Sequence, residues 1–228
     1  MTPMNTNSQT QPSVSVGDYL KSVWEVAGTG AASTKDVAER LSVSAASVSN
    51  MFVRLQEMGL VRHERYHGAS LTERGKREAM RLVRRHRLIE TFLLEHLGYS
   101  WDEVHEEAER LEHAVSDTFT ERLAEYLGHP AHDPHGDPIP TPEGMLEPDR
   151  NKPLRDVEEG EEVRVSRVDQ RDEAVLAYLG EQGLVPGTAI RVLEVRGVDG
   201  VVTVEGEDGS VHTLGEPLTR SIFVRADS

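Results

Sequence analysis

Residues 35–72, KDVAERLSVSAASVSNMFVRLQEMGLVRHERYHGASLT, decide the fold. KDVAERL turns Val37, Ala38 and Leu41 to one side, the spacing of a short amphipathic helix preceded by Thr34. A brief turn, SVS, leads into AASVSNMFVRLQEMG. There Val48, Met51, Phe52, Leu55 and Met58 share a face, and Gly59 terminates the helix. LVRHERYHGASLT reads as two short strands around a turn at Gly68. On the N-terminal side, DYLKSVWEVA (18–27) spaces Tyr19, Leu20, Val23, Trp24 and Val26 as a further amphipathic helix, ended by Gly28 and Gly30. Helix, short helix, tight turn, helix, hairpin is the order of a winged helix-turn-helix, whose third helix leads into the major groove with its N-terminal residues. The exposed face of that helix carries Ser44, Ser47, Asn50 and Arg54. Asn pairs with adenine, Ser bonds bases or phosphates, and Ala46 suits a thymine methyl. Arg62, Arg65 and His67 in the hairpin would reach the DNA backbone. A small helical domain that touches protein would show the same pattern.

Charge is distributed to match. The net charge is −15, yet residues 1–85 carry 12 Lys/Arg against 8 Asp/Glu, while residues 86–228 carry 13 against 32. A phosphate-binding domain needs local positive charge, whatever the rest of the chain carries. With 37% hydrophobic residues, the chain holds no apolar run near the roughly 18 residues of a membrane span. It has no cysteine, which excludes disulfides, zinc–thiolate sites and thiol catalysis. The first 17 residues lack the basic start and apolar core of a signal peptide and read as a disordered polar tail. The expected compartment is cytoplasmic.

TERGKREAMRLVRRHRLIETFLLEHLG reads as one long helix, opened by Thr72 and closed by Gly98. His86 falls inside its apolar stripe of Leu82, Ile89, Leu93 and Leu97, with Glu90 one turn on. A hydrogen-bonded core histidine is the ordinary explanation. The next helix shifts the balance. Ser100 and Glu103 form a capping box that starts it near Trp101, and HEEAERLEHAVSD (105–117) aligns His105, Glu109, Glu112 and His113 on one side. Two glutamates and a histidine converging on one point would repel and desolvate one another without a cation. A solvated face remains the alternative.

The order of helix-turn-helix, wing, RRHRLIETFLLEHLG, VHEEAERLEHAVSD and HGDPIPTPEG resembles the diphtheria-toxin-repressor family of metal-dependent transcriptional regulators over roughly residues 15–145. The rest resembles that family's optional C-terminal module. The resemblance implies a mainly α chain with a small β domain: a disordered tail (1–17), a winged helix-turn-helix DNA-binding domain (18–81), a helical dimerisation and metal-binding domain (82–145), a linker (146–154) and a Src-homology-3-like β-barrel (155–228). It implies a homodimer that binds double-stranded operator DNA when Mn(II) or Fe(II) is bound, and no catalytic site.

Carried over by position, the family's primary ligands fall on Asp18, Glu109, Glu112 and His113, and its ancillary ligands on His86, Glu90 and His105. His135 and Asp133 stand where a related subgroup draws ligands from a Cys-Pro-His-Gly loop, and Asp172, or Glu173 beside it, stands where the C-terminal module contributes. Asp18 and Glu109 replace the Met and Cys of iron-responsive relatives, so hard oxygen replaces soft sulfur, which favours Mn(II) with Fe(II) second. Lys21 occupies the position of a Glu in relatives with a paired manganese centre, which favours two separate sites. A metal clasping Asp18 to the helical domain would set the spacing of two recognition helices to about 34–36 Å, one turn of duplex.

Leu88, Phe92, Val115, Phe119, Leu123, Tyr126 and Leu127 make the expected dimer face. The stretch 129–154 is rich in Pro, Gly and charge and reads as a linker. EEVRVSRV, TAIRVLEV, VVTVEGE, SVHTL and SIFVR read as the strands of a small barrel, interrupted by a helix near 171–182. Two other classes share these residues: a metal-independent winged-helix regulator, and a metallohydrolase. The second would need an open coordination position and a general base. No phosphate-binding glycine loop is present.

Overall fold

The computed structural model describes residues 15–28, 30–64, 66–148, 150–169 and 173–226. Arg65, Asp172 and most of the expected tail lie outside the described residues, as does the side chain of Glu173. The chain divides into two compact units, Met1–Leu82 and Val83–Ser228.

The first unit comprises α1 (Val16–Ala27), α2 (Thr34–Arg40), α3 (Ala45–Glu57), the antiparallel hairpin β1 (Val61–Glu64) and β2 (Gly68–Leu71), and the N-terminal part of α4 (Glu73–Leu97). This is the expected helix-turn-helix and wing. Each early helix starts on a serine whose side chain accepts an otherwise unpaired backbone N–H: Ser15, Ser33 and Ser44. α1 therefore begins before Asp18. Ser15 N donates to Asp18 Oδ2 at 2.7 Å, and Asp18 N donates to Ser15 Oγ at 3.3 Å, a reciprocal capping box. Leu20, Val23, Val37, Val48, Phe52, Leu55 and Met80 fill the core. The wing is held against the α1–α2 connection by a bridge between Ala32 and Ala69. Gly68 permits this approach. Its φ is +90°, and a Cβ there would lie 2.2 Å from the Ala32 carbonyl oxygen.

The second unit takes the rest of α4, then α5 (Val104–Leu111) and α6 (Asp117–Tyr126). After the 129–151 segment come β3 (Lys152–Pro153), a 3₁₀ turn at Leu154–Asp156, β4 (Glu162–Val168), α7 (Glu173–Glu181), β5 (Ala189–Arg196), β6 (Val201–Gly206), β7 (Val211–Leu214), α8 (Glu216–Ser221) and β8 (Ile222–Ala226). The six strands pair antiparallel in the order β3-β8-β4-β5-β6-β7. The sheet stays open: β3 and β7 are its edges and do not pair with each other among the described residues. The expected barrel is thus corrected to an open sheet. β3 has only two residues, and one is Pro153, which has no N–H to extend a ladder. One apolar cluster fills the sheet domain, around Val165, Leu176, Leu179, Val204 and Ile222. A second, around Leu88, Leu93, Val104 and Ala124, fills the helical part.

The segment 131–140 is not the free linker its composition suggests. His132 bridges Pro138, Ile139 N donates to Ala131 O at 2.8 Å, and Asp133, His135 and Ile139 are buried. It docks on β4 where a register shift between Val165 and Arg167 opposite β8 opens the strand. There Val168 N donates to His135 O at 2.8 Å. Gly136, at φ +87°, passes so close that a Cβ would sit 1.9 Å from Ser166 O.

Candidate metal centre

α4 sets His86 and Glu90 on its buried stripe at i, i+4, facing α5. α5 is shorter than its charge pattern suggests. The Ser100–Glu103 hydrogen bonds exist, at 2.6 Å from Ser100 Oγ to Glu103 Oε2, but helix begins only at Val104. It ends at Leu111, so Glu112 is the C-terminal cap and His113 lies beyond it. Glu109, Glu112 and His113 still converge, each bringing one ligand atom within 4.8 Å of the others. Glu112 is fully buried while His113 is exposed. Arg85 fixes the turn, donating to Glu112 O at 2.8 Å and pairing with Asp117 at 2.8 Å. Asp18 belongs to the first unit, where its carboxylate takes part in the α1 capping box.

The remaining predicted ligands of the second unit form a connected group. His86 Nε2 is 2.8 Å from Glu90 Oε1, which is also 3.0 Å from His105 Nδ1. The rings of His86 and His105 stand edge to face with centroids 4.8 Å apart. On its other side, His86 Nδ1 is 2.6 Å from Glu112 Oε2. Glu90, Asp133 and His135 make a second convergent set within 4.8 Å, all three buried. His86, His105 and Glu109 make a third, which shares Glu109 with the first set and meets the second through the His86 and His105 contacts to Glu90.

Burial and neighbouring charge move the members of the buried set in different directions. Burial pushes the Glu90 carboxyl up, but the His86 charge and hydrogen bonds from His105 and His86 override this and hold it well below the usual range. Asp133 goes the other way. Burial first, then the neighbouring Glu90 and Asp137, raise it well above an ordinary aspartate, against the pull of Arg87. Burial lowers His135, which favours the neutral ring. His135 Nε2 lies 2.9 Å from the Trp101 carbonyl oxygen, which only accepts, so Nε2 carries the proton and Nδ1 the lone pair. That Nδ1 and Glu90 Oε2 are buried with no hydrogen-bond partner among the described residues. Buried acceptors of this kind are costly unless something coordinates them. A divalent ion fits them, and the donors are all nitrogen and oxygen.

Sequence reasoning missed the cationic frame around this group. In the run RRHR all three arginines tie α4 to other parts of the second unit. Arg84 pairs with Glu121 at 2.9 Å and donates to Pro140 O, and Arg85 holds the Glu112 turn. Arg87 reaches Asp133 at 3.4 Å, Asp137 at 3.3 Å and Pro138 O at 2.5 Å, and Arg167 of β4 meets Asp137 at 3.9 Å. Two of the positive charges counted toward a DNA-facing surface are therefore spent inside the second unit. Their interleaving with the apolar stripe of α4 was the available signal. In the first unit Ser44, Ala46, Ser47, Asn50, Arg54 and Arg62 are all exposed. Ser44 Oγ, however, caps α3, accepting from Ser47 N at 3.1 Å and bonding Ser47 Oγ at 2.8 Å.

Comparison with known proteins follows the same division. Residues 13–69 match the iron-dependent repressor N-terminal DNA-binding domain, 72–141 the iron-dependent repressor metal-binding and dimerisation domain, and 152–226 the FeoA domain. The diphtheria toxin repressor of Corynebacterium efficiens is 31% identical over 190 residues, 78% of this chain and 83% of that protein. The chain belongs to the iron-dependent repressor family. Within it, the iron-dependent repressor IdeR of Mycobacterium bovis is 36% identical over 130 residues, 57% of this chain but only 55% of that relative's length. Among solved structures, a manganese-dependent transcriptional repressor in complex with manganese aligns with a TM-score of 0.86 at 40% identity, covering 92% of this chain and 99% of that one. ScaR with bound Zn2+ aligns at 0.79 with 36% identity, covering 94% and 100%. No helix among the described residues is long and apolar enough to cross a membrane.

Proposed function

We propose that the protein is a divalent-metal-activated, DNA-binding transcriptional repressor of metal-uptake genes. The observation that carries this is the pair of buried acceptors, Glu90 Oε2 and His135 Nδ1, that have no hydrogen-bond partner among the described residues, inside a group of carboxylates and imidazoles. Glu109, Glu112 and His113 hold the regulatory ion. Glu90, Asp133 and His135, with His86 and His105, hold the ancillary one. When bound, the ion supplies the positive charge that offsets the converging carboxylates. Mn(II) is the proposed metal, with Fe(II) the alternative, because every donor is nitrogen or oxygen.

Asn50, Ser47 and Arg54 read operator bases from the exposed face of α3. Arg62 and Arg65 contact backbone phosphates. Two copies pair through Phe92, Phe119 and Tyr126. The last two are exposed, and Phe92, His96 and Tyr126 stack with centroids 5.0–6.1 Å apart. Leu88 and Leu123 are buried within the monomer and drop out of the expected dimer face. Metal shifts the dimer toward its operator-competent spacing to the extent that it binds that state better. A tenfold gain in operator affinity needs about 1.4 kcal/mol of such coupling. Glu112→Ala is expected to abolish Mn(II)-stimulated operator binding in a gel-shift titration while the circular-dichroism spectrum is retained. Undiminished stimulation would sink the assignment.

A further inference from the structure

A cleft lies where the helical part of the second unit meets its sheet domain, and none of the proposed metal ligands lines it. It holds about 620 Å³ of space. Leu94 of α4, Leu176 of α7 and Val185 just after α7 give it apolar walls, and Trp101 adds an indole. A volume of this size with mostly apolar walls and a few polar groups is what small-molecule sites have. Trp101 is half-buried and fixed. Its N–H donates to Pro134 O at 3.0 Å, and its ring lies 4.9 Å, centroid to centroid, from that of His135. The aromatic surface is therefore in place before anything binds, which lowers the cost of binding.

The charge of the cleft is one-sided. Among the described residues, the charged side chains lining it are Asp102 and Glu181, and neither has an ion-pair partner. Gly180 keeps the indole uncovered. It sits in the last turn of α7, although glycine is the poorest helix former after proline, and its φ is not left-handed. A Cβ there would meet the benzo ring of Trp101 at 3.5 Å, an ordinary contact, and a longer side chain would close over that ring. We propose that this cleft binds a small organic cation. The apolar body of such an amine lies against Leu94, Leu176 and Val185, and its ammonium group is held by the Trp101 indole and the carboxylates of Asp102 and Glu181. Ammonium ions are drawn to indole rings, and two carboxylates with no cation of their own in the cleft supply the matching charge.

The test is a ligand-observed NMR titration of 2-phenylethylamine into the full chain, freed of metal by dialysis against chelator. Saturable binding is expected, with a dissociation constant on the order of 1 mM for so small a probe. Phenylacetate, of similar shape and opposite charge, should not bind. Asp102→Asn combined with Glu181→Gln should weaken the amine about fivefold, the scale of two partly exposed ion pairs. Gly180→Leu should abolish amine binding while the circular-dichroism spectrum is retained. No saturable binding by the full chain, phenylacetate bound as tightly as the amine, or undiminished amine binding in either variant overturns the proposal. So does amine binding that fades as protein concentration rises, which would mean that a second copy of this chain fills the cleft.

Discussion

The two acidic clusters of the second unit are made of the same donor atoms in opposite surroundings. Glu90, Asp133 and His135 are each at most 6% exposed, packed between α4 and a loop seated on β4. In the other cluster Glu112 is sealed, but the side chains of Glu109 and His113 are 39% and 38% exposed. Carboxylates facing water lose little when no ion is present, whereas buried ones carry an uncompensated desolvation cost. The buried cluster is therefore expected to bind tightly, exchange slowly and act as part of the fold. The half-exposed cluster is expected to follow the free metal concentration.

That contrast can be broken at the loop. Gly136→Ala places a Cβ into the Ser166 carbonyl at a left-handed φ. It should cost on the order of 4 kcal/mol in urea unfolding, while leaving Mn(II) uptake at the half-exposed cluster in place. A loss of both sites together would show that the clusters are one structural unit. Arg87→Gln is the next largest. Removing the cation beside buried Asp133 should destabilise the metal-free protein by about 3 kcal/mol. Saturating Mn(II) should shrink that deficit, because an ion beside Asp133 supplies the positive charge that Arg87 gave it. A deficit unchanged by metal would mean that Asp133 does not meet the ion.

The smallest effect concerns pH in chelated protein. Burial depresses His135, so its neutral form is the one the fold prefers. Its contribution is present above the ordinary imidazole value of about 6.5 and is lost as pH falls through the lower folded value. The urea midpoint should fall more steeply from pH 7 to 5 in the native chain than in His135→Asn. Equal slopes would place the acid sensitivity elsewhere.

The first unit was legible because its information is local. Apolar spacing, Gly59 and Gly68 mark each element without reference to distant residues, and only the capping serines Ser15, Ser33 and Ser44 went unread. The proposed ligand residues were also visible, since His86, Glu90, Glu109 and His113 sit at helical intervals. What sequence periodicity could not show was where α5 stops. Glu112 reads as mid-helix, yet a turn fixed by Arg85, 27 residues away, makes it a cap. The loop was misjudged for the same reason. Pro and Gly at 130–144 suggest slack chain, but Gly136 is there so that backbone can lie on backbone, a long-range fact. The open sheet likewise follows from edge pairing, which strand propensity does not encode.

Trp101 donates its indole N–H to Pro134 O at 3.0 Å and lies 4.9 Å, centroid to centroid, from the His135 ring. The sequence holds only one other tryptophan, Trp24, in the first unit. The molecule thus carries its own optical gauge. In a Trp24→Phe background, paramagnetic quenching of a single indole emission would report filling of the buried centre in real time, without any attached dye.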